Sequence, residues 1–554
     1  MIQNYKPRGA VWTPHSIAEL LVTWAVRSAH DSVLDLGCGE GVFLCETIRR
    51  LKNLGASSEQ IAYQLLGTEL DLDTFKKLQN KLEQALGRIP PYVYHNDFFK
   101  TEFPEKVEAI IGNPPYVRRW WLHNLDEIRY TISNTAKNFP RSTDLACYFV
   151  IHAIKFLKPG GRLALILSDS WLDMDYGENF KRFLLNHFHI HAIIGFEAKV
   201  FPNHLINTVL LLAEKLANTC QSNAQLRTTF LRWKTLPSPL DWDIVLSKGS
   251  PCASNILIKP QRDLKSTEPW SKLLYAPPAY FRLAKHPKLV PLQTLARTRI
   301  GFQSFCKRFY IIPAKSPWHI EPQYLKPLIY SPRDIAGPIL TPSHSPKHFL
   351  LYCSKLPSEL VGTHVLRYIK WGESQKITPR GRHQEVIGFH NSPRIQRANR
   401  QPWYNLVPEL SRRGSWPVLL FRRLFKRYAV IWNQAGWIAS ENFIELQPRP
   451  GVDLLALLAF LNSSFAELLF QTHAHRYGGG VYNLNPGDIG GIPVLNILKL
   501  SENEKERLKA AYESFLLLGG RDRQVLDQVI ANVLDLEISF IKDQRTKENL
   551  GVVI

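Results

Sequence analysis

Val33-Leu34-Asp35-Leu36-Gly37-Cys38-Gly39-Glu40-Gly41 is an apolar run that breaks into three glycines set two residues apart. The pattern reads as a buried strand, a tight turn and the start of a helix. Glycine permits positive φ and lets backbone approach a ligand closely. The helix that follows presents free N–H groups at its first turn. A ligand-free βα turn uses the same residue types, so this loop alone does not decide function.

The residues around it extend the pattern. Val33–Leu36, Tyr63–Glu69, Tyr92–His95, Glu108–Gly112, Gly161–Ser168, His191–Phe196 and Thr208–Ala213 read as seven strands. Helical segments such as Leu72–Leu86 and Leu145–Leu157 lie between them. The alternation predicts an α/β, Rossmann-like domain with a parallel sheet covered on both faces. Glu69 ends the second strand, where an acid can accept from both ribose hydroxyls. Asn96-Asp97-Phe98-Phe99 ends the third, with Asp97 placed to accept from an adenine amino group and Phe98 to pack on the ring. Three successive strand ends with such groups predict an adenosine site.

Ile110-Ile111-Gly112-Asn113-Pro114-Pro115-Tyr116 ends the fourth strand. The two prolines fix φ and hold the preceding residue extended. An Asn side-chain oxygen and a proline carbonyl then become rigid acceptors beside an aromatic face. That set suits a planar conjugated amino group, whose hydrogens two acceptors can hold while the lone pair is freed. Tyr116 would stack on the flat ring.

Composition narrows the partner. The 554 residues carry 69 Lys+Arg against 48 Asp+Glu, a net charge of +21, which favours a polyanion and above all nucleic acid. From Lys376 to Val430 twelve basic residues face only Glu385 and Glu409. Arg394, Arg397, Arg422, Arg423, Lys426 and Arg427 are the candidate DNA contacts there, and Arg suits phosphate and guanine edges. Trp403, Tyr404, Trp416 and Trp432 are interleaved, with core packing their default role and base stacking the alternative. The seven cysteines lack any C-x-x-C pair, so neither a zinc site nor a disulfide framework is expected. Met1–Trp12 has no apolar leader and Leu454–Leu461 is too short to span a bilayer, so a cytoplasmic protein without a membrane partner is expected.

Three domains are expected: 1–246 as the α/β unit, 271–495 as a mixed α+β unit rich in Pro, Arg and Trp, and 496–554 as a helical tail opened by Ser501 and Glu504. Pro251–Trp270 reads as a linker.

The motif set resembles the gamma-class N6-adenine DNA methyltransferases of the Taq type. Asp35–Gly41, Glu69, Asp97-Phe98 and Asn113-Pro114-Pro115-Tyr116 occur in that family's order. Gly9-Ala10-Val11-Trp12-Thr13-Pro14 resembles its N-terminal cofactor motif, and Thr143–Phe149 with Leu157–Gly161 a later helix. Arg476–Gly480 through Pro486 is similar to its target-recognition domain. The resemblance implies S-adenosyl-L-methionine at Thr13, Asp35, Gly37, Cys38, Gly39, Glu69, Leu70, Asp97, Phe98 and Asn113. It implies catalysis by Asn113, Pro114, Pro115 and Tyr116, with Phe201 on the other face of a flipped adenine, and Arg476 on DNA. Double-stranded DNA is the implied substrate, and a separate restriction endonuclease or defence subunit the implied further partner. Asp-Leu-Gly stands where the class commonly has Asp-Pro-Ala. Two alternatives remain: a methyltransferase-fold DNA-binding subunit of a defence complex, and a methyltransferase acting on RNA or on a protein glutamine.

Overall fold

The apolar runs that end at Asp35, Glu69, His95 and Gly112 lie side by side as parallel strands. The computed structural model describes residues 13–116, 125–132, 139–197, 207–217, 225–235, 253–378, 385–424, 428–477, 481–484 and 486–539. They form two compact units, Met1–Pro277 and Pro278–Ile554.

The first unit is built on nine strands: β1 (Val33–Asp35), β2 (Leu65–Glu69), β3 (Tyr92–His95), β4 (Val107–Gly112), β5 (Leu157–Ser168), β6 (Phe188–Phe196), β7 (Thr208–Lys215), β8 (Arg227–Trp233) and β9 (Ala253–Pro260). Their order is β3-β2-β1-β4-β5-β7-β6-β8-β9. The five strands from β3 to β5 are parallel, and their near-continuous apolar runs are what burial on both faces demands. β7 then runs antiparallel between β5 and β6. The expectation of a Rossmann-like α/β sheet therefore holds, with a hairpin inserted where a wholly parallel sheet was expected.

Helices α1 (His15–Ala25), α2 (Val42–Asn53), α3 (Ser58–Gln64), α4 (Leu72–Leu86), α5 (Leu145–Ala153) and α6 (Asp175–His187) connect or flank the strands. Asp71 caps α4 by accepting the Thr74 N–H at 2.9 Å, and Gly87 ends it at φ +76°. Phe75, Leu78, Leu82 and Leu86 form its buried face at helical spacing. Tyr63, read as the start of a strand, belongs to α3, because Ser57 caps that helix and delays the strand to Leu65.

The linker reading of Pro251–Trp270 fails. Ala253–Pro260 is a sheet strand antiparallel to β8, itself unanticipated. Gln261 then donates to the Phe188 carbonyl and accepts from the Ile190 N–H, both at 2.8 Å. Trp270 is fully buried against Trp171 and Phe230. The first unit thus runs on to Pro277 rather than stopping near residue 246.

The second unit is mixed, as expected. A five-stranded sheet has the order Ala296–Ile300, Phe443–Pro448, Val418–Phe421, Val430–Asn433, Ile339–Leu340. A four-stranded sheet orders Ile311–Pro313, His348–Leu351, Leu325–Ile329 and Ile438–Ala439. The tail helix Glu502–Leu517 carries the predicted Ser501–Glu504 capping box. It is followed by Gln524–Val533, whose buried Asp527 accepts both the Ser464 N–H and its hydroxyl at 2.8 and 2.7 Å. These contacts place the tail within the second unit. No single helix among the described residues is long and apolar enough to cross a membrane.

Asp31 and Arg162 form a buried 2.7 Å ion pair beside the amino end of β1. Asp31 Oδ2 also accepts the backbone N–H groups of Arg27 and Ser28. Removing one partner leaves an uncompensated charge, so Arg162→Ala should cost about 3 kcal/mol in urea unfolding. A loss below about 1 kcal/mol would mean that water reaches the carboxylate.

Candidate active site

Four strand ends place the candidate residues along one edge of the sheet. Asp35 at the end of β1 pairs laterally with Gly67 of β2 and Ile111 of β4. The glycine turn follows, with Gly39 at φ +52° and Gly41 at φ +86°. The Cys38 N–H donates to the Thr68 carbonyl at 2.9 Å, which ties the turn to β2. Glu69 completes the tie, accepting the Gly39 N–H at 2.9 Å and the Asp71 N–H at 2.8 Å. Open space lies where side chains of residues 37 and 39 would point. Leu70, 70% exposed, stands beside Glu69 at the lip.

Asp35 is wholly buried. Its Oδ1 accepts the Gly37 N–H at 3.3 Å, while Oδ2 has no hydrogen-bond partner among the described residues. Burial, reinforced by the nearby Glu69 charge, pushes its pKa up to about 7 against the pull of the Gly37 N–H. A buried carboxylate with one unpartnered oxygen is costly unless a donor or a cationic group reaches it.

Asp97 follows β3 and caps a short turn, accepting the Phe99 N–H at 3.0 Å. The ring of Phe98 departs from the sequence reading. It is 3% exposed and stacked on Phe149 at 5.0 Å, with His152 and Phe156 against it edgewise. It is a core residue, leaving no open face for a ligand ring.

Asn113 follows β4 directly. Gly112 sits at φ +144°, and a Cβ there would lie 2.9 Å from Asp35 Oδ1. Asn113 Nδ2 donates to Thr13 Oγ1 at 3.1 Å, joining the two motifs across 100 positions of chain. Tyr116 is 8% exposed, and its hydroxyl donates to the Ile166 carbonyl at 3.3 Å. Burial and the Asp144 carboxylate hold this phenol well above its ordinary pKa. An extruded base can stack on Tyr116 only after its ring is uncovered. Phe201 lies outside the described residues.

In the second unit Arg394 and Arg397 are exposed on the helix Pro393–Ala398. Arg422 is half-buried, with Nε lacking a partner among the described residues, and Arg423 is exposed. Arg423 shares a three-stranded sheet with the strand His475–Tyr477 that contains Arg476. Lys426, Arg427 and the Arg476 side chain fall outside the described residues. Two of the twelve cations counted from sequence are structural. Arg400 holds Glu409 at 2.6 and 3.0 Å, and Arg413 joins Arg299 on the buried Glu445. Tyr404 is core and Trp403 packs on Phe309 at 4.5 Å, while the Arg299 guanidinium covers Trp416 at 3.9 Å. Gly67 and Gly112 escaped the sequence reading, although glycine ending or lining a buried strand was a signal for close approach. Among the described residues no His, Cys, Asp and Glu group could hold a metal ion.

The profile of the N-6 DNA methylases matches residues 2–229, and that of the C-terminal domain of the type II methyltransferase M.Eco57I matches 270–526. Over residues 2–229 the chain is similar to the N-6 DNA methylases. It is a DNA methyltransferase of the restriction-modification type. The methylase is 22% identical over 535 residues to the type II methyltransferase M.AccI of Acinetobacter calcoaceticus, covering 93% of this chain and 91% of the relative. M.BstVI of Geobacillus stearothermophilus is 21% identical over 585 residues, with 98% and 99% covered. The fold of the methylase also resembles the type IIL restriction-modification enzyme MmeI, solved in complex with DNA, at a TM-score of 0.58 and 12% identity. That likeness covers 96% of this chain and 75% of MmeI.

Asp35 makes the methylase's own stability depend on pH. Its folded pKa is raised from 3.8 to about 7, so its contribution is present below about pH 4 and lost as pH rises through 7. The free protein should lose up to about 4 kcal/mol over that interval from this group, at 1.36 kcal/mol per pH unit. Asp35→Asn should flatten that part of the profile in denaturant titrations. An unchanged slope would show that Asp35 ionises freely.

Proposed function

We propose that the chain methylates N6 of an adenine rotated out of double-stranded DNA, with S-adenosyl-L-methionine as methyl donor. The observation that carries the reading is the adjacency of Asn113-Pro114-Pro115 to the Asp35–Gly41 turn, the two joined by the β1–β4 pairing. S-adenosyl-L-methionine supplies an activated methyl group on a sulfonium cation.

The residues present fit that cofactor. Asp35 offers a buried, half-partnered carboxylate to its cationic end, and Gly37, Cys38 and Gly39 offer a turn open to backbone contact. Glu69 keeps lone pairs for ribose hydroxyls beyond its two N–H bonds, with Leu70 beside it as an apolar cover. Asp97 Oδ2 is an acceptor for the adenine amino group of the cofactor.

Adenine N6 is a poor nucleophile because its lone pair is conjugated with the ring. The Asn113 amide oxygen and the Pro114 carbonyl accept its two hydrogens and draw the nitrogen toward tetrahedral geometry. The Thr13 bond orients the Asn113 amide by holding its nitrogen, so the oxygen points away from Thr13. Pro115 stiffens the cassette, and Tyr116 and Phe201 take the two faces of the extruded base. Arg394, Arg397, Arg422, Arg423, Lys426, Arg427 and Arg476 contact the DNA. A separate restriction endonuclease or defence subunit shares the target site, and the setting is the cytoplasm.

Asn113→Ala should slow single-turnover methyl transfer by ~10²–10³ while cofactor and DNA affinity stay near wild type. Wild-type rates in that variant would remove Asn113 from the chemistry. Parallel assays on RNA and on protein glutamine should give no transfer.

Arg422→Glu with Arg423→Glu should weaken DNA binding and lower the log–log salt slope by about one unit per lost phosphate contact. An unaltered slope, measured by anisotropy, would move the DNA face elsewhere.

A further inference from the structure

Gly301-Phe302-Gln303-Ser304-Phe305-Cys306 joins a strand of the five-stranded sheet to the short helix Lys307–Tyr310. Its start is pinned. The Gly301 N–H donates to the Phe443 carbonyl at 2.9 Å and the Phe302 N–H to the Ala439 carbonyl at 2.6 Å. A side chain at Gly301 would collide with the Ser440 carbonyl. From this anchor the chain alternates: Phe302 and Ser304 are buried, while Gln303 and Phe305 are exposed. Phe305 has φ +62°, a conformation that a phenylalanine rarely takes, yet its ring is 48% exposed. An apolar side chain held in the left-handed region thus leaves about half of its surface in water. Strain of this kind persists where the surrounding structure imposes it, and it concentrates at ligand contacts.

Gln303 and Phe305 line a cavity of about 800 Å³ with Lys307, Arg394, Arg397 and Glu441. Lys307 neutralises Glu441 at 2.7 Å. The two exposed arginines therefore set the sign of the cavity. Arg397 is exposed, with its Nε donating to the Pro393 carbonyl at 3.1 Å. The Arg394 guanidinium makes no hydrogen bond or ion pair among the described residues.

We infer that this cavity is a base-reading site for the target DNA, with Gln303 and Phe305 as specificity-determining residues. The inference rests on the DNA methyltransferase reading above and adds residues that neither the sequence motifs nor the basic cluster marked. Arg394 and Arg397 take the backbone phosphates on the rim and fix the register of the duplex. Gln303 carries a donor and an acceptor on one planar amide, the pair that matches the N7 and N6 edge of adenine. Phe305 packs the exposed half of its side chain against the neighbouring base.

The full-length protein is mixed with a duplex pool randomised over twelve base pairs, and the bound fraction is sequenced at fixed salt. Gln303→Ala should lose the wild-type preference at one A·T pair by about 10-fold. Phe305→Gly should relax the same or the adjacent position. Because glycine accepts positive φ without strain, its thermal midpoint should not fall, so unfolding cannot mimic the effect. Arg394→Ala with Arg397→Ala should weaken binding to all sequences alike and lower the salt slope by about two units. Wild-type preference in both Gln303→Ala and Phe305→Gly would overturn the inference, even with methyl transfer intact. A protein that binds with sequence preference, loses it in these variants and never transfers a methyl group would leave the site standing and overturn the methylation reading instead.

Discussion

The β1 and β4 ends can approach as closely as they do because residue 112 has no side chain. Asp35 Oδ1 occupies the space where a Cβ at that position would begin. The parallel β1–β4 register sets Asp35 opposite Ile111, so the glycine turn and the Asn113 cassette leave the sheet one residue apart. Gly67 repeats the device on the other side, where a Cβ would strike Cys38 Sγ. Two missing side chains thus bring three strand ends together around one buried carboxylate. Distances among the candidate groups are then set by strand spacing, which is stiff, rather than by loops. The same closeness raises the Asp35 pKa, since the site that shuts water out also gathers Glu69 beside it.

Much of the first unit was legible because its signals are local. Buried parallel strands require continuous apolar runs, and each run ended at a glycine, an acid or an Asn-Pro pair that marks a strand end. The seven expected strands all exist, with ends shifted by a few residues. Of the two missed strands, β9 is the edge of the sheet and β8 lies next to it; polar residues such as Arg227, Lys259 and Pro260 at their paired ends weaken the apolar signal. What made Pro251–Trp270 look like a linker was composition; what fixes it is tertiary. Gln261 bonds to β6 and Trp270 packs on Trp171, partners that no window of sequence displays.

The site was legible as positions and not as environments. Asp35, Glu69, Asp97 and Asn113 stand at the strand ends where the motifs placed them. Phe98 and Tyr116 do not offer the open rings that their motifs suggested. Whether an aromatic residue after a strand faces a ligand or the core depends on what the neighbouring helix presents, and α5 presents Phe149 and His152 to Phe98. The burial that packs this cluster, together with Lys155, also lowers the His152 pKa to about 4, so this imidazole stays neutral in the core.

The arginines of the second unit carry the same lesson about charge. A count of cations cannot separate those that hold the fold from those that face a polyanion. Arg299 and Arg413 share the fully buried Glu445, and Arg400 grips Glu409 while donating to the Tyr310 hydroxyl. Their carboxylate partners offset two of these three charges, so the group counts for far less than its number of cations. Arg394, Arg397 and Arg423 are exposed, and no acid pairs with them among the described residues. On the proposed DNA face the unpaired positive charge therefore sits on residues of short elements held by the sheets. Binding at those residues costs no structural ion pair, because the pairs that stabilise the unit lie among other side chains. A surface built this way can vary in sequence without loosening the core beneath it.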